Sequence, residues 1–166
     1  MKDIIHLVGS PPTEQNTGSQ TGYGLEWEGD WQASRSLRLK GNYAFQRSTD
    51  ETSNRDAGNA PHHHIYVRAE WKYRPGWMLT PQVNGVAGRK RVSGDTREAI
   101  DDYVTLNLTL RRKMQGNPLG LALMVNNVFD TDAREPTQFA NGAANIPNDL
   151  PLPGRNVLLE VGYDFQ

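Results

Sequence analysis

Few residues in this chain have the types and spacing that chemistry requires. His62-His63-His64 is a histidine run, and imidazoles suit Zn²⁺, Cu²⁺ or Ni²⁺. In an extended chain successive side chains point to opposite faces, so only His62 and His64 share a side and the run makes a poor closed metal site. A polar strand start is the expectation there. Asp130, Asp132 and Glu135 are oxygen donors of the kind Ca²⁺ takes, but they lack the glycine and spacing of a calcium loop. Glu26, Glu28, Asp30, Arg38, Lys40, Arg68, Glu70 and Lys72 carry both signs on one parity. They read as cross-strand ion pairs on a wet surface rather than as an acid–base pair. Arg89-Lys90-Arg91 is a short basic run that could meet anionic headgroups or an anionic ligand; the expectation is a solvated strand end. Gly-x-Ser-x-Gly, P-loop and dinucleotide fingerprints are all missing. The chain is therefore expected not to be an enzyme, and no catalytic, cofactor-binding or metal residue is assigned.

The elements that hold these residues show a more informative pattern. Tyr23, Leu25, Trp27, Gly29 and Trp31 alternate with Gly24, Glu26, Glu28, Asp30 and Gln32. Leu37, Leu39, Gly41, Tyr43 and Phe45 alternate with Arg38, Lys40, Asn42, Ala44 and Gln46, and Ile65, Val67, Ala69, Trp71 and Tyr73 with His64, Tyr66, Arg68, Glu70 and Lys72. Alternate side chains of a strand face opposite sides of its sheet, so each strand has an apolar, aromatic-tipped face and a charged face. That suits a wall between hydrocarbon and water. Leu25, Trp27, Leu39, Val67, Trp71, Leu106, Leu121 and Leu159 are expected to face lipid.

Composition agrees. Hydrophobic residues make up 36% of the 166 residues, and mean hydropathy is -0.70. A transmembrane barrel needs only one apolar face and so can look hydrophilic. Net charge is -1, which gives nucleic-acid binding no electrostatic support. There is no cysteine, hence no disulfide or thiolate metal site. No apolar run approaches the roughly 18 residues of a transmembrane helix.

Eight strands are expected, at about 3–8, 20–33, 37–48, 63–74, 77–90, 101–113, 119–129 and 155–165. Pro81 makes the fifth the weakest and suggests an edge or bulge. Connections 34–36, 74–76 and 113–118 are short and rich in Gly, Pro and Ser, whereas 9–19, 49–62, 91–100 and 130–154 are longer and polar. Short turns at one end and long loops at the other are the outer-membrane barrel pattern, with loops 49–62 and 130–154 on one membrane side. Trp27, Trp31, Trp71, Tyr73, Trp77, Tyr163 and Phe165 share the apolar parity, several beside short turns, as an interfacial girdle does.

The second half resembles the C-terminal barrel portion of TonB-dependent outer-membrane receptors. The residues that carry this are Asn126-Asn127-Val128-Phe129-Asp130 at the end of a strand, Leu152-Pro153-Gly154-Arg155-Asn156 leading into the last strand, and its close on Tyr163-Asp164-Phe165. Gly24-Leu25-Glu26 and Ala60-Pro61-His62 are similar to further family features. The resemblance implies an all-β antiparallel meander forming the last third of a barrel of about 22 strands in the cell outer membrane. It also implies a fragment of a receptor for TonB-energised uptake of a siderophore, haem, cobalamin or similar nutrient.

Outer-membrane lipid, the rest of the barrel and its plug are the implied partners, with TonB engaged only through an N-terminal part. The plug domain, TonB box and export signal are expected to be absent from residues 1–166. A cut segment is expected to form a curved open sheet, with no ladder between 3–8 and 155–165. The alternatives are a self-closed eight-stranded membrane barrel and a soluble lipocalin-like barrel with Trp27, Trp71 and Leu106 around a ligand.

Overall fold

The computed structural model describes residues 2–8, 13–58, 60–92, 94–113, 116–137, 139–140, 143–144 and 146–165. Eight strands dominate: β1 (Lys2–Val8), β2 (Thr13–Gln32), β3 (Leu37–Asp50), β4 (His63–Arg74), β5 (Trp77–Ala87), β6 (Tyr103–Lys113), β7 (Leu119–Asn126) and β8 (Asn156–Tyr163). They pair antiparallel in chain order as an unbroken meander. Within the described ladder β1 and β8 are the two terminal strands and do not pair with each other. The sheet is open, as expected of an arc of a larger wall, and a self-closed eight-stranded barrel would need that seam.

The register carries the alternation across the whole sheet. Trp27 lies opposite Tyr43, Tyr43 opposite Ile65, and Ile65 opposite Gly85. Val83 meets Leu106, Leu108 meets Val125, and Val125 meets Val157. Directly opposed residues share a face, so the apolar parities of β2 to β8 form one surface. That surface is bare: Trp27 is 60% exposed and Trp71 48%, with Leu25, Val67, Leu121 and Leu159 also exposed. This excludes the lipocalin-like arrangement, in which Trp27 and Trp71 would be enclosed.

Aromatics edge the surface at both ends. On the short-turn side Trp71, Tyr73 and Trp77 follow each other at 5.8 and 6.3 Å, and Tyr163 meets Phe165 at 4.9 Å. On the loop side Tyr23, Phe45, His63 and Tyr43 form a second row with centroid spacings of 6.1, 5.2 and 6.1 Å. From His63 to Tyr73 is ten residue steps. At ~3.3 Å each and a tilt of roughly 40°, that is about 25 Å, the height of an outer-membrane apolar band.

Four local expectations need correction. Residues 13–19 are strand, not irregular loop, and extend β2 to 20 residues against β1; residues 9–12 of that expected loop lie outside the described residues. The stretch from Thr13 to Gln20 holds no apolar residue, so hydrophobic period could not reveal it. Pro81 sits in an interior strand, opposite Leu108. The β4–β5 ladder accommodates it by pairing Arg68 with Gln82 and resuming at Trp71 with Leu79, passing over Thr80 and Pro81, the latter having no N–H. β7 stops at Asn126 because Asn127 turns the chain with φ 48°. Segment 130–154 is ordered locally by two-residue ladders, Arg134–Glu135 with Leu150–Pro151 and Phe139–Ala140 with Ala143–Ala144.

Over β2 to β6 the inner face is largely polar, and part of its charge is paired, across strands and along one. Asp30 accepts from Arg38 at 2.6 Å and lies 3.7 Å from Lys40, while Arg68 and Glu70 pair at 2.8 Å. Lys40 faces Arg68 in register, so these two carboxylates offset an opposed pair of like charges. Tyr66 donates to Gln82 at 3.2 Å. Among the described residues a small apolar cluster, Val86, Tyr103 and Ala133 with Leu152 against it, lies where loop residues fold over this inner face.

Leu106 and Thr105 are neighbours on opposite faces, which gives a direct test. Leu106→Arg should destabilise the membrane-embedded form of the whole gene product by roughly 2–4 kcal/mol, and Thr105→Arg by clearly less. Urea unfolding followed by heat-modifiable gel mobility measures both.

Candidate functional site

The features able to do more than form a wall gather at its loop end. They are built by three connections: residues 51–62 after β3, 88–102 after β5, and 127–155 after β7.

The base of the longest connection is set by the Asn126–Asp130 motif. Asn126 donates to Asn156 across the β7–β8 ladder at 2.9 Å. Asn127 is buried and works as a clamp. Its Nδ2 donates to the carbonyls of Thr131 at 2.9 Å and Pro153 at 3.4 Å, and its Oδ1 accepts from the Thr131 amide at 2.9 Å. Asp130 accepts the Arg155 amide at 2.8 Å. Both ends of the connection are thereby pinned before it leaves the wall.

Above this base lies a network of buried charge that sequence reasoning did not find. The Arg89 side chain is only 3% exposed and pairs with Glu135 at 3.2 Å. It also donates to the carbonyl of Asp101 at 3.0 Å and to that of Arg134, and lies 5.2 Å from the centroid of the Tyr103 ring. The Tyr103 hydroxyl donates to Glu135 at 2.8 Å. Arg91 makes a two-pronged pair with Asp149 at 2.9 and 2.6 Å. Arg97 donates to the same carboxylate at 2.9 Å and to Asp95 at 2.6 Å. Two guanidiniums thus converge on Asp149, which bridges loops 58 positions apart in sequence.

The expected solvated strand end at Arg89-Lys90-Arg91 is therefore corrected: Lys90 alone of the three is exposed, while Arg89 and Arg91 turn inward as anchors. Buried charges persist only when paired and hydrogen-bonded, and each of these is. The Arg91 hydrogen bonds hold the Asp149 carboxyl at about 2, below its ordinary 3.8. Asp95 is likewise lowered, chiefly by its bond from Arg97.

The histidine run is dispersed rather than convergent. His62 is buried, with Nε2 2.6 Å from Asp56. His63 points outward, 2.7 Å from the Tyr43 hydroxyl, and belongs to the aromatic row. His64 lies on the inner face, 2.8 Å from Asn84. Asp130, Asp132 and Glu135 also part: Asp130 takes the Arg155 amide, Asp132 pairs with Arg134 at 3.1 Å, and Glu135 serves Arg89. Among the described residues no group of three or more His, Asp or Glu side chains converges as a metal site would require.

The first connection joins through backbone contact. Gly58 has φ +70°, and a Cβ there would stand 2.6 Å from the Arg91 carbonyl carbon, so glycine alone permits this approach. The His62 amide donates to Gly88 at 3.3 Å. A cleft of about 350 Å³ opens between the second and third connections, bounded by Arg91, Arg97, Glu98, Asp132, Arg134 and Asp149. Among the described residues the arrangement offers no activated nucleophile. It makes three loops one cap, with charged groups of both signs at its surface.

Bare apolar band outside, paired polar face inside, short turns at one end and a tied loop cap at the other define an arc of an outer-membrane β-barrel. The chain belongs to the outer membrane protein beta-barrel family, which it matches over residues 12–163, and its location is the cell outer membrane. It is 29% identical over 141 residues to the metal-pseudopaline receptor CntO of Pseudomonas aeruginosa strain PAO1, an alignment covering 78% of this chain and 20% of that protein. The copper transporter OprC superposes with a TM-score of 0.75 at 18% identity, over 99% of this chain and 27% of that one. The ferric yersiniabactin uptake receptor FyuA from Yersinia pestis does so at 0.76 and 20% identity, over 93% and 25%. At those identities the likeness speaks for the fold. The chain spans about a fifth of the curated relative's length and about a quarter of the solved chains. These relatives are transport receptors, not enzymes, and the resemblance read in the Asn126–Asp130 and Leu152–Phe165 motifs is borne out.

Asp149→Asn leaves Arg91 and Arg97 without their shared anion and should cost about 2–3 kcal/mol of loop docking. Hydrogen exchange across 134–151 should rise accordingly while β6 stays protected. The Asp149 carboxyl is held below its free value, so its contribution is complete above about pH 5 and is lost as pH falls toward 2. Loop exchange should therefore be flat from pH 7 to about 5 after correction for intrinsic rates, then climb more steeply in wild type than in the variant, which keeps only the Asp95 response.

Proposed function

We propose that this chain supplies part of the wall, together with the external loop cap, of a receptor for TonB-energised uptake of a chelated metal or similar scarce nutrient. One observation carries the reading. The outward series of β2 to β8 is largely apolar and the inward series of β2 to β6 largely polar, while the terminal strands β1 and β8 are left to meet other strands. Hydrocarbon does not tolerate unpaired strand edges, so the arc works only with more wall on both sides. In this reading the remaining wall and a plug filling its lumen are contributed by sequence beyond residues 1–166, and TonB acts through that sequence.

The cap fits the same role. Loops 51–62, 88–102 and 127–155 lie at one end, which an outer-membrane barrel turns outward. The cleft among Arg91, Arg97, Asp132 and Arg134 gives that surface both charge signs, suited to a polar, anion-bearing chelate. Relatives named for metal-pseudopaline, copper and ferric yersiniabactin support a metal-bearing cargo.

Deletion of the gene in its own host, followed by growth on chelated metals under metal starvation, tests this. The whole reading frame should restore uptake of radiolabelled chelate, the restoration should vanish when TonB is removed, and residues 1–166 alone should restore nothing. Uptake that persists without TonB, or rescue by residues 1–166, would contradict the proposal.

A further inference from the structure

The outward parity of β2 to β8 carries the glycines Gly29, Gly41 and Gly85. Each leaves a notch in an otherwise bulky face. Gly29 and Gly41 oppose each other, and the Trp27 ring lies against both: a Cβ at Gly29 would stand 2.7 Å from that ring, and one at Gly41 3.9 Å. The chain fills that notch itself. Gly85 is different. It lies between Ile65 and Val104 in register, and Ala87, the next outward residue of β5, lies opposite His63. The Ile65 side chain leans toward Gly85, where a Cβ would stand 2.8 Å from its Cγ2. A groove of about 350 Å³ nevertheless stays open over Gly85 and Ala87. Tyr43, His63 and Ile65 form one wall, Val104 the other, and Asp102 lies at the loop-end mouth. The groove is continuous with the lipid-facing band.

Its polar groups gather at the loop end. The Tyr43 hydroxyl and His63 Nδ1 share a hydrogen bond of 2.7 Å. With a neutral imidazole the pair holds two protons, and the bond uses one. One donor is left over, Nε2–H in one tautomer and the Tyr43 O–H in the other. No described residue accepts from it. Asp102 adds an acceptor: one oxygen takes the Arg89 amide at 3.5 Å, and the side chain is otherwise exposed. His63 and Tyr43 belong to the loop-side aromatic row, where the apolar band ends. A donor left unmet at the edge of hydrocarbon costs free energy, so the occupant of the groove has to answer it.

We propose that this groove seats one acyl chain of lipopolysaccharide, the lipid of the outer leaflet, with the carbonyl that links the chain accepting from the Tyr43–His63 pair. Lipopolysaccharide meets the groove only with the loop end turned outward, the orientation on which the proposed function also rests. The chain would lie on Gly85 and Ala87 between Ile65 and Val104. Lipid tails are as apolar as the wall, so the gain is close packing and hydrogen bonding rather than escape from water. The linkage chemistry selects the lipid. Amide-linked hydroxyacyl chains bring a carbonyl for the donor and N–H and O–H groups for Asp102. The glycerol esters of a phospholipid bring acceptors only.

Native mass spectrometry tests this on the whole gene product, extracted from native outer membranes in mild detergent. Wild type should retain lipopolysaccharide. Gly85→Leu fills the groove and should lower the retained fraction about tenfold. Tyr43→Phe/His63→Phe keeps the rings, removes the donor and should lower it about fivefold. Ala69→Leu adds similar bulk to the lipid face away from the groove, opposite Leu39, and should leave retention unchanged. Heat-modifiable gel mobility verifies folding, and if Gly85→Leu does not fold, the Tyr43/His63 variant decides. Equal retention in wild type and the folded variants would overturn the proposal. So would an equal loss in Ala69→Leu, which marks unspecific lipid contact. Groove-dependent retention of phosphatidylethanolamine in place of lipopolysaccharide would overturn it as well, and would turn the loop end to the inner leaflet. Only that last result also counts against the outward cap of the transport reading; the others leave it intact.

Discussion

A backbone crossing hydrocarbon must satisfy its own N–H and C=O groups, and everything else in this molecule follows from that constraint. A meander satisfies it with neighbouring strands in sequence order, from β1 to β8 without a crossover. Once the ladder is fixed, the pleat decides which side chain meets lipid and which meets water, and a one-residue slip would invert every strand. The continuous outward series, from Trp27 through Tyr43, Ile65, Val83, Leu106 and Val125 to Val157, is that choice made consistently. An ordinary core is then dispensable. Among the described residues the buried apolar cluster is only Val86, Tyr103 and Ala133.

Charge is handled differently at three heights. Along the inner face it is paired at short range, Asp30 with Arg38 and Glu70 with Arg68, where water remains close. At the loop end it is buried and convergent, with Asp149 between Arg91 and Arg97 holding together segments far apart in sequence. At the short-turn end it is cationic and stacked on Trp77. The first arrangement keeps a wet wall soluble, the second stiffens a cap, and the third packs guanidiniums on an aromatic ring.

Much of the wall was legible in the sequence because its signal is local. Leu25, Trp27 and Trp31 announce a strand by period alone, and the eight strands follow within a few residues of where that period places them. The first third of β2 was not legible, since Thr13 to Gln20 alternates nothing and is held extended by β1. The loop cap was illegible for a different reason. Arg91 and Asp149 each look like ordinary loop residues, and only the folded register brings them to 2.6 Å. His63 was misleading as part of a triplet: its partner is Tyr43, on the neighbouring strand. Arg74 read as part of a turn, because period cannot see the register shift that sets it opposite Trp77.

The central claim is the phase of the alternation relative to lipid, and a nitroxide scan of β6 in native outer membranes reads it most directly. Spin labels placed singly from Val104 to Arg112 in the whole gene product should show collision with oxygen peaking at even positions. Collision with a water-soluble nickel complex should peak at odd ones, with a period of two throughout. The opposite phase, or no alternation at all, would contradict the account.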